Sequence, residues 1–323
     1  MNYTEFKETL LNELNEKTSA VSEHIESFQA SSSMKTNENT KDSIVPKYIG
    51  DKNVGVCIYP EELYEDYVNG ISLNEITESV IDQAEYTYSH SPSISLGDLT
   101  SEAVRDNLYL QLINGDSNPL IKDNCPYIEV NDLIAVPRVK VEIDGQEGSF
   151  LVNHKIQSQM KLTDDEILSI SRQNTLSQPY SLKTMSEVLS GMMGQEIPSD
   201  NIPQIYVLSN PSGINGSIQL INPDAMSEAS RIMGNESLFI IGSSIHELLL
   251  LPESMVDDPA NLAVMCNDVN RDVVSNNEIL TGSIYRYDSG TQKISICNNL
   301  EDLNNLQHQS TTQTQSSHHR QAM

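Results

Sequence analysis

The chain contains no tryptophan and few aromatic residues, and its basic side chains are far outnumbered by acidic ones. No run approaches the about 20 apolar residues that a membrane-spanning helix needs, so we expect no membrane contact of that kind. The first residues, MNYTEFKETLLNEL, are acidic and amphipathic. An export signal is instead basic and then apolar. These absences favour a cytoplasmic protein.

Cysteine is also scarce, with four residues that lie far apart and form no CxxC pair. Structural zinc sites on cysteine use closely spaced pairs, and disulfide frameworks belong to exported chains. We therefore expect reduced and mostly buried thiols, no metal site and no cofactor. The four are Cys57, Cys125, Cys266 and Cys297.

The net charge is −27 over 323 residues, and the acidic residues are spread along the chain without a single acidic tail. Such a surface repels phosphate backbones, which makes nucleic acid an unfavourable partner. Solubility is the interpretation that we favour for the charge. A decoy that imitates nucleic acid is the alternative, and it requires charge concentrated on one face, which the spacing does not indicate.

The densest apolar segment spans residues 205–251 and organises the rest of the chain. It begins with the strand-like run IYVLS, and Asn215-Gly216 is typical of a tight hairpin. The run SIQLI would then pair back on the first strand. Asn222 and Pro223 predict a helix start. SLFIIG and IHELLLL are two further extended segments.

Residues 3–29 predict an amphipathic helix, because apolar residues recur at spacings of three, four and seven. We favour packing of this stripe on the protein itself, and contact with an unknown protein partner is the alternative. The following segment, SSSMKTNENTKDS (31–43), has almost no apolar content and predicts a flexible linker. The stripe consists of Phe6, Leu10, Leu14, Val21, Ile25 and Phe28.

Further elements follow from capping and turn signals. Pro60 opens one helix, and Ser72 with Glu75 forms a capping box for the next. Apolar residues from about Thr100 to Asn114 predict another helix. Other segments predict strands over NVGVCIY, LIAVPRVKVEI and GSFLVNHKI, helices over DDEILSISRQNT, SLKTMSEVLSGMM and PANLAVMCNDVNRDV, and a hairpin from SIYRYD to KISIC.

These patterns predict an α+β fold with a mixed, largely antiparallel sheet, hairpins and covering helices, preceded by an N-terminal amphipathic helix. We expect the helices at 223–233 and 259–272 to cover one face of the sheet. The expected organisation is an N-terminal helix and linker (1–44), one domain (45–300) that is sheet-rich over 126–297, and a disordered polar tail (301–323).

The most suggestive candidates for chemistry are Ser243, Ser244, His246 and Glu247. On a strand, Ser244 and His246 would share a face, and a carboxylate nearby would complete a hydrolase-like group. Side chains two apart on a strand start about 7 Å from each other, whereas a nucleophile–base hydrogen bond needs about 3 Å. The nucleophile elbow G-x-S-x-G is absent as well.

We therefore assign no catalytic residue and favour a structural role for this group, with a hydrolase as the alternative. His246 is expected to be buried, because Ile245 and Leu248 to Leu251 surround it in the sequence. A zinc protease is excluded, since His246-Glu247 is followed by leucines where H-E-x-x-H needs its second histidine. The sequence indicates no other metal site.

Several segments resemble a bacterial domain-of-unknown-function family, number 5688 of that series. The resemblance covers roughly residues 45–297, and its most specific element is the Ser-Ser-Ile-His-Glu string. Gly242 departs from the expected proline, and Thr281-Gly282 from the expected Ser-Asp. The segments are YVLSN (206–210), LFIIGSSIHELLLLP (238–252), MCNDVN (265–270), EILTGSIYRYD (278–288) and IYPEELYEDYVNG (58–70).

The resemblance implies one family unit and no activity. Members of that family are often encoded beside mobile-element genes. The resemblance therefore implies an accessory role for this chain. Together with the residues, this predicts a cytoplasmic, non-enzymatic accessory or interaction protein. The alternative function is a hydrolase that uses the cluster at 243–247.

Overall fold

The computed structural model describes residues 1–34, 36–37, 40–50, 56–90, 98–143, 146–197 and 204–309, and its fold is α+β. The helices are α1 Tyr3–Val21, α2 Pro60–Val68, α3 Leu73–His90, α4 Glu102–Asp106, α5 Pro119–Asn124, α6 His154–Met160, α7 Asp164–Ser177, α8 Met185–Met193, α9 Pro223–Ile232, α10 Pro259–Asp272 and α11, residues 300–309.

The strands are β1 Ile25–Met34, β2 Thr40–Tyr48, β3 Leu108–Asn114, β4 Ile128–Val130, β5 Leu133–Ile143, β6 Gln146–Leu151, β7 Ser181–Thr184, β8 Tyr206–Ser209, β9 Leu238–Ser244, β10 Glu247–Pro252, β11 Ile284–Asp288 and β12 Lys293–Ile296. Short 3₁₀ helices cover Asp98–Thr100, Gly216–Ile221 and Glu253–Met255.

The chain forms two compact units, each built from separate segments. The first unit combines Met1–Leu108 with Val139–Thr163, and the second combines Tyr109–Arg138 with Asp164–Met323. The boundary predicted after residue 44 lies inside β2, and the predicted start of the tail at residue 301 lies inside α11.

The N-terminal helix is shorter than the sequence predicts. Its stripe of Phe6, Leu10 and Leu14 is fully buried in the core of the first unit. The helix ends at Val21, and the predicted continuation to residue 29 is wrong. Ile25 and Phe28 belong to β1, where a register shift between Ile25 and Ser27 turns both side chains inward and so imitates helical spacing.

The predicted linker at 31–43 is also wrong for the part of it that the structure describes. β1 and β2 pair as an antiparallel hairpin from Ile25↔Tyr48 to Met34↔Thr40. Main-chain hydrogen bonds between strands do not require apolar side chains. A serine-rich segment can therefore pair along an edge, and low apolar content alone does not identify a linker.

Capping signals are reliable in the first unit. Pro60 is the first residue of α2, and Ser72 and Glu75 exchange hydrogen bonds at the start of α3. The predicted strand NVGVCIY falls partly outside the described residues, and Ile58 forms an isolated bridge with Ile44. α3 buries Ile76, Thr77, Val80, Ile81 and Ala84.

A four-stranded sheet has the order β3-β5-β4, with β6 also paired to β5. The helix predicted from Thr100 to Asn114 is wrong beyond Asp106, because β3 follows α4. Leu108, Leu110 and Leu112 are all buried, which is the period of a strand. Residues four positions apart lie on one face in a helix and also in a strand, so this spacing could not distinguish a helix from a strand.

The second unit contains a six-stranded sheet of order β12-β11-β9-β10-β8-β7. The hairpins β9–β10 and β11–β12 are antiparallel; the sequence predicts the second as a hairpin, and predicts the strands of the first only as two extended segments. The hairpin predicted at Asn215-Gly216 is wrong. Asn215 does adopt a left-handed conformation, with φ of 57°, but the chain then enters a 3₁₀ helix instead of a strand.

The two covering helices lie on opposite faces of this sheet, which corrects the prediction of one covered face. Leu238 and Ile240 share a core with residues of α9, whereas Phe239 and Ile241 share a separate core with Cys266 of α10. β9 begins with the uninterrupted apolar run LFII, whose side chains point to both faces of the sheet. Both faces must therefore be buried by other elements.

The thiols are reduced, and three of them are buried. Burial raises the pKa of Cys125 and of Cys266 to about 11, and that of Cys297 to about 12. These thiols stay protonated at neutral pH and behave as small apolar side chains. Among the described helices, none has both the length and the apolar content that crossing a bilayer requires.

Candidate functional site

His246 lies in the turn of the β9–β10 hairpin and not on a strand. β9 ends at Ser244, β10 begins at Glu247, and these two residues face each other in the register. The predicted shared face of Ser244 and His246 is therefore wrong, because Ile245 and His246 form a two-residue turn. The side chain of His246 is 30% exposed, which corrects the prediction of burial.

Both nitrogens of the His246 ring have neighbours. Nδ1 accepts a hydrogen bond from the backbone N–H of Asn215 at 3.2 Å. Nε2 lies 3.4 Å from Oε1 of Glu278, a carboxylate that is 39% exposed. An acceptor at Nδ1 means that Nε2 carries the proton in the neutral ring and points it toward the carboxylate.

The segment from Ser209 to Ser217 holds this turn through backbone atoms. The hydroxyl of Ser209 and the N–H of Gly216 both donate to the carbonyl of His246, at 2.7 and 3.0 Å. The N–H of Ser217 donates to the carbonyl of Ile245 at 3.2 Å. The left-handed residue before Gly216 thus directs the chain onto the hairpin turn.

The two serines of the candidate cluster take different places. The hydroxyl of Ser244 accepts from the backbone N–H of His246 at 3.1 Å. The carbonyl of Ser243 accepts from the backbone N–H of Leu280 at 3.0 Å, as 278–281 runs beside the end of β9. Glu247 is exposed at the start of β10. In this arrangement the Ser244 hydroxyl and the His246 ring bond neighbouring backbone, whereas the Ser243 contact is made by its own carbonyl.

Glu278 is the residue of this site that the sequence interpretation missed. It stands 32 positions after His246 in the chain, and only the pairing of 278–281 with β9 brings the two together. A signal existed, since EILTGSIYRYD carries part of the family resemblance. The sequence position alone could not show which acidic residue of this segment contacts the imidazole.

A second polar cluster lies further along the same segment, around Thr281. Asp132 accepts from the hydroxyl of Thr281 at 2.9 Å and from that of Tyr285 at 2.6 Å. The carbonyl of Thr281 accepts from Asn270 Nδ2 at 2.9 Å and from the thiol of Cys266 at 3.4 Å. This cluster joins α10, β11 and the turn between β4 and β5.

The Thr281 cluster is an internal anchor. Tyr285 is fully buried, and burial together with the Asp132 carboxylate raises the pKa of its phenol far above the usual range. The phenol therefore remains a hydrogen-bond donor at neutral pH and does not act as a base. Thr281 is also one of the three residues that depart from the resembling family.

The charged groups of the site do not assemble a metal centre. Over the ranges that the structure describes, no three His, Cys, Asp or Glu side chains converge closely enough to hold a metal ion. The chemistry that the arrangement allows is orientation of an imidazole by the Glu278 carboxylate. The imidazole in turn fixes the Asn215 backbone.

Replacing His246 with alanine is expected to lower the free energy of unfolding by about 1 kcal/mol, since the Asn215 N–H loses its acceptor at a partly exposed position. His246→Asn keeps an acceptor at the place of Nδ1 and should be milder. Thermal unfolding of both variants measures the difference. Equal melting of His246→Ala and wild type would show that the ring has no structural role.

No curated protein and no solved structure matches the chain. The model of a family of unknown function, DUF5688, matches residues 3–289. This range includes the His246 turn, the 278–285 segment and the N-terminal helix, and it extends the resemblance noted from the sequence toward the N-terminus. The chain therefore belongs to the DUF5688 family of unknown function.

Proposed function

We propose that the chain is a non-enzymatic accessory or interaction protein of the bacterial cytoplasm. The observation that carries the proposal is the internal use of the candidate catalytic groups. Nδ1 of His246 is taken by the Asn215 backbone, and the Ser244 hydroxyl by the His246 backbone. A general base needs an imidazole nitrogen that accepts a proton from the nucleophile.

Exposed apolar side chains support a binding role. Val264 and Met265 on α10 are 62% and 45% exposed, and Met192 and Met193 on α8 are 79% and 61% exposed. Large apolar side chains exposed side by side are typical of contact surfaces. α1 buries Phe6, Leu10 and Leu14 of its apolar stripe within its own unit, so these side chains are not available to a partner.

The alternative function is a hydrolase, and one observation favours it. The carboxylate of Glu278 at Nε2 of His246 resembles the group that orients the base in a catalytic triad. For this alternative, the Asn215 N–H must leave Nδ1, and Ser243 or Ser244 must turn toward the ring. The two functions therefore differ in whether a serine of this cluster becomes nucleophilic.

Labelling with a fluorophosphonate probe decides between them, because the probe reacts with activated serines. We expect no labelling of the full chain and no difference between wild type and the variants Ser243→Ala, Ser244→Ala and His246→Ala. Labelling of the wild type that these variants abolish would overturn the non-enzymatic proposal. An established serine hydrolase treated in parallel confirms that the probe is active.

The interaction role has its own test. Affinity purification of the full chain from its native host, compared with the tag alone, is expected to recover a partner in near-stoichiometric amount. Recovery of the chain without any enriched companion, at native expression level, would contradict an interaction role.

A further inference from the structure

The chain contains three Asn-Gly dipeptides, Asn69-Gly70, Asn114-Gly115 and Asn215-Gly216. In such a pair the backbone nitrogen of the glycine can attack the side-chain amide carbon of the asparagine, because glycine has no Cβ that obstructs the approach. The attack needs an amide that is free to turn and a backbone that can open locally. The fold therefore decides which of the three pairs reacts.

Hydrogen bonds fix the asparagine side chains of two of these pairs. The amide of Asn114 donates to the carbonyl of Leu280 at 3.0 Å and accepts from the backbone N–H of Ser117 at 2.8 Å. The amide oxygen of Asn215 accepts from the side chain of Gln111 at 2.8 Å. Neither amide can turn toward the next backbone nitrogen without losing these bonds.

The glycine nitrogens of the same two pairs are also held. The N–H of Gly115 donates to the carbonyl of Asp132 at 3.0 Å, and the N–H of Gly216 donates to the carbonyl of His246 at 3.0 Å. Both glycines are buried. Each acceptor belongs to a segment that is distant in the sequence, so freeing either nitrogen requires packed parts of the second unit to separate.

Asn69 differs from the other two asparagines. It follows α2 at the C-terminal end of the helix, and both Asn69 and Gly70 are exposed. Among the residues that the structure describes, the side-chain amide of Asn69 has no hydrogen-bond partner. The N–H of Gly70 donates to the carbonyl of Tyr67 at 3.1 Å, within the same turn. Fraying of the last helical turn is therefore enough to free this nitrogen.

The C-terminal end of α2 is weakly anchored. Of the nine residues of α2, Pro60 at the opposite end is the buried one. Val68 is 65% exposed and Ile71 is 43% exposed. No atom lies within 4 Å of the place that a Cβ on Gly70 would take. Segments with few buried contacts and an exposed backbone open at little cost in free energy.

We propose that Asn69 is a site of spontaneous chemical modification. The Gly70 nitrogen loses its proton to solvent and attacks Cγ of Asn69, the side-chain nitrogen leaves as ammonia, and a cyclic succinimide forms. Water then attacks one of the two ring carbonyls and gives aspartate or isoaspartate. The net reaction consumes water and releases ammonia, and it needs no oxidant and no enzyme. The proposal is independent of the function proposed above.

Both products change the turn between α2 and α3. Each adds a carboxylate at the C-terminal end of α2, where the helix dipole disfavours negative charge. Isoaspartate also inserts a methylene group into the main chain. This insertion displaces the two hydrogen bonds that close the turn, from Gly70 N–H to Tyr67 and from Ile71 N–H to Asp66. The modified turn should therefore be looser than the original one.

Peptide mapping by mass spectrometry tests the proposal on the full chain after prolonged incubation at neutral pH. We expect the mass gain of an amide-to-acid conversion to accumulate at Asn69 at least about tenfold faster than at Asn114 or Asn215, because the rate follows the population with an open backbone. Two chromatographic forms of the modified peptide, of which a protein isoaspartate methyltransferase labels one, would identify both products. Equal rates at the three positions, or no gain at Asn69, would overturn the proposal.

The same chain unfolded in guanidinium chloride is the matched control. The three Asn-Gly pairs should then react at comparable rates, because the fold no longer distinguishes them. If Asn69 led by the same factor in the unfolded chain, the flanking residues and not the turn would set its rate, and the structural assignment would fail. Asn69→Gln should abolish the gain at this position, since glutamine does not form the succinimide. An undiminished gain in that variant would contradict the succinimide route.

Discussion

Replacing Arg286 with methionine is expected to lower the free energy of unfolding by about 3–5 kcal/mol, because it leaves two carboxylates without their buried counter-ion. The Arg286 side chain is 7% exposed. Its Nε and Nη2 donate to Glu253 at 3.1 and 2.8 Å, and its Nη1 donates to Asp288 at 2.8 Å. The carboxylates are 22% and 14% exposed.

The electrostatic balance at this triad explains the size of the expected effect. Burial lowers the pKa of Arg286, but the hydrogen bonds to Glu253 and Asp288 outweigh burial and raise it. Glu253 also accepts from Gln307 at 2.8 Å, which connects α11 to the sheet. Without the guanidinium, two like charges would share a poorly solvated site.

Denaturant unfolding measures this loss, with Arg271→Met as the matched control. Arg271 pairs with Asp268 and Asp272, but its side chain is 67% exposed and its ion pairs are screened by solvent, so its removal should lower the free energy of unfolding far less than the removal of Arg286. Adding Glu253→Gln and Asp288→Asn to the Arg286→Met chain should restore much of the stability. A triple variant as unstable as the single one would show that lost packing dominates.

The elements that could be predicted from the sequence have local physical causes. Asn222 accepts from the first N–H groups of α9, and Asp258 does so for α10, because a helix start leaves these groups unpaired wherever it lies. The β11–β12 hairpin could be predicted because its cause is also local: the turn that forms it lies between two strands that are adjacent in the sequence. The α+β class follows from such elements and from strands linked by short turns.

The elements that could not be predicted depend on contacts distant in the chain. Asn215 and Gly216 have the residue types of a hairpin, but the carbonyls of Ile245 and His246 redirect the segment after them. Phe28 has helical spacing from α1, yet main-chain pairing with Pro46 places it in a strand. Local preference is weak compared with tertiary contact in both cases.

The residues of the candidate site likewise fall into those that the sequence could identify and those that it could not. His246 and the serines could be singled out from the string at 243–247. Their partners could not, because Asn215 and Glu278 reach the imidazole through strand pairing and a docked loop. A catalytic interpretation needs distances between such partners, and sequence spacing does not supply them.

Gly216→Ala is expected to lower the free energy of unfolding by about 3 kcal/mol, since a methyl group has no room there. A Cβ at this position would lie 2.0 Å from the Ser209 hydroxyl oxygen, 2.5 Å from the His246 carbonyl oxygen and 2.7 Å from the Asn210 backbone nitrogen. Two of these atoms are backbone and cannot rotate away. The loop must therefore separate from the hairpin turn.

That separation would break the hydrogen bonds from Gly216 and Ser209 to the His246 carbonyl, so stability and local structure should change together. Denaturant unfolding measures the first, and the NMR signals of the His246 imidazole measure the second. Ser209→Gly in the Gly216→Ala chain should recover only part of the loss, because the overlaps with backbone remain. The matched control is Gly191→Ala in α8, where a Cβ meets nothing within 4 Å and alanine favours the helix. Wild-type stability of Gly216→Ala would show that the 209–217 segment does not hold the His246 turn.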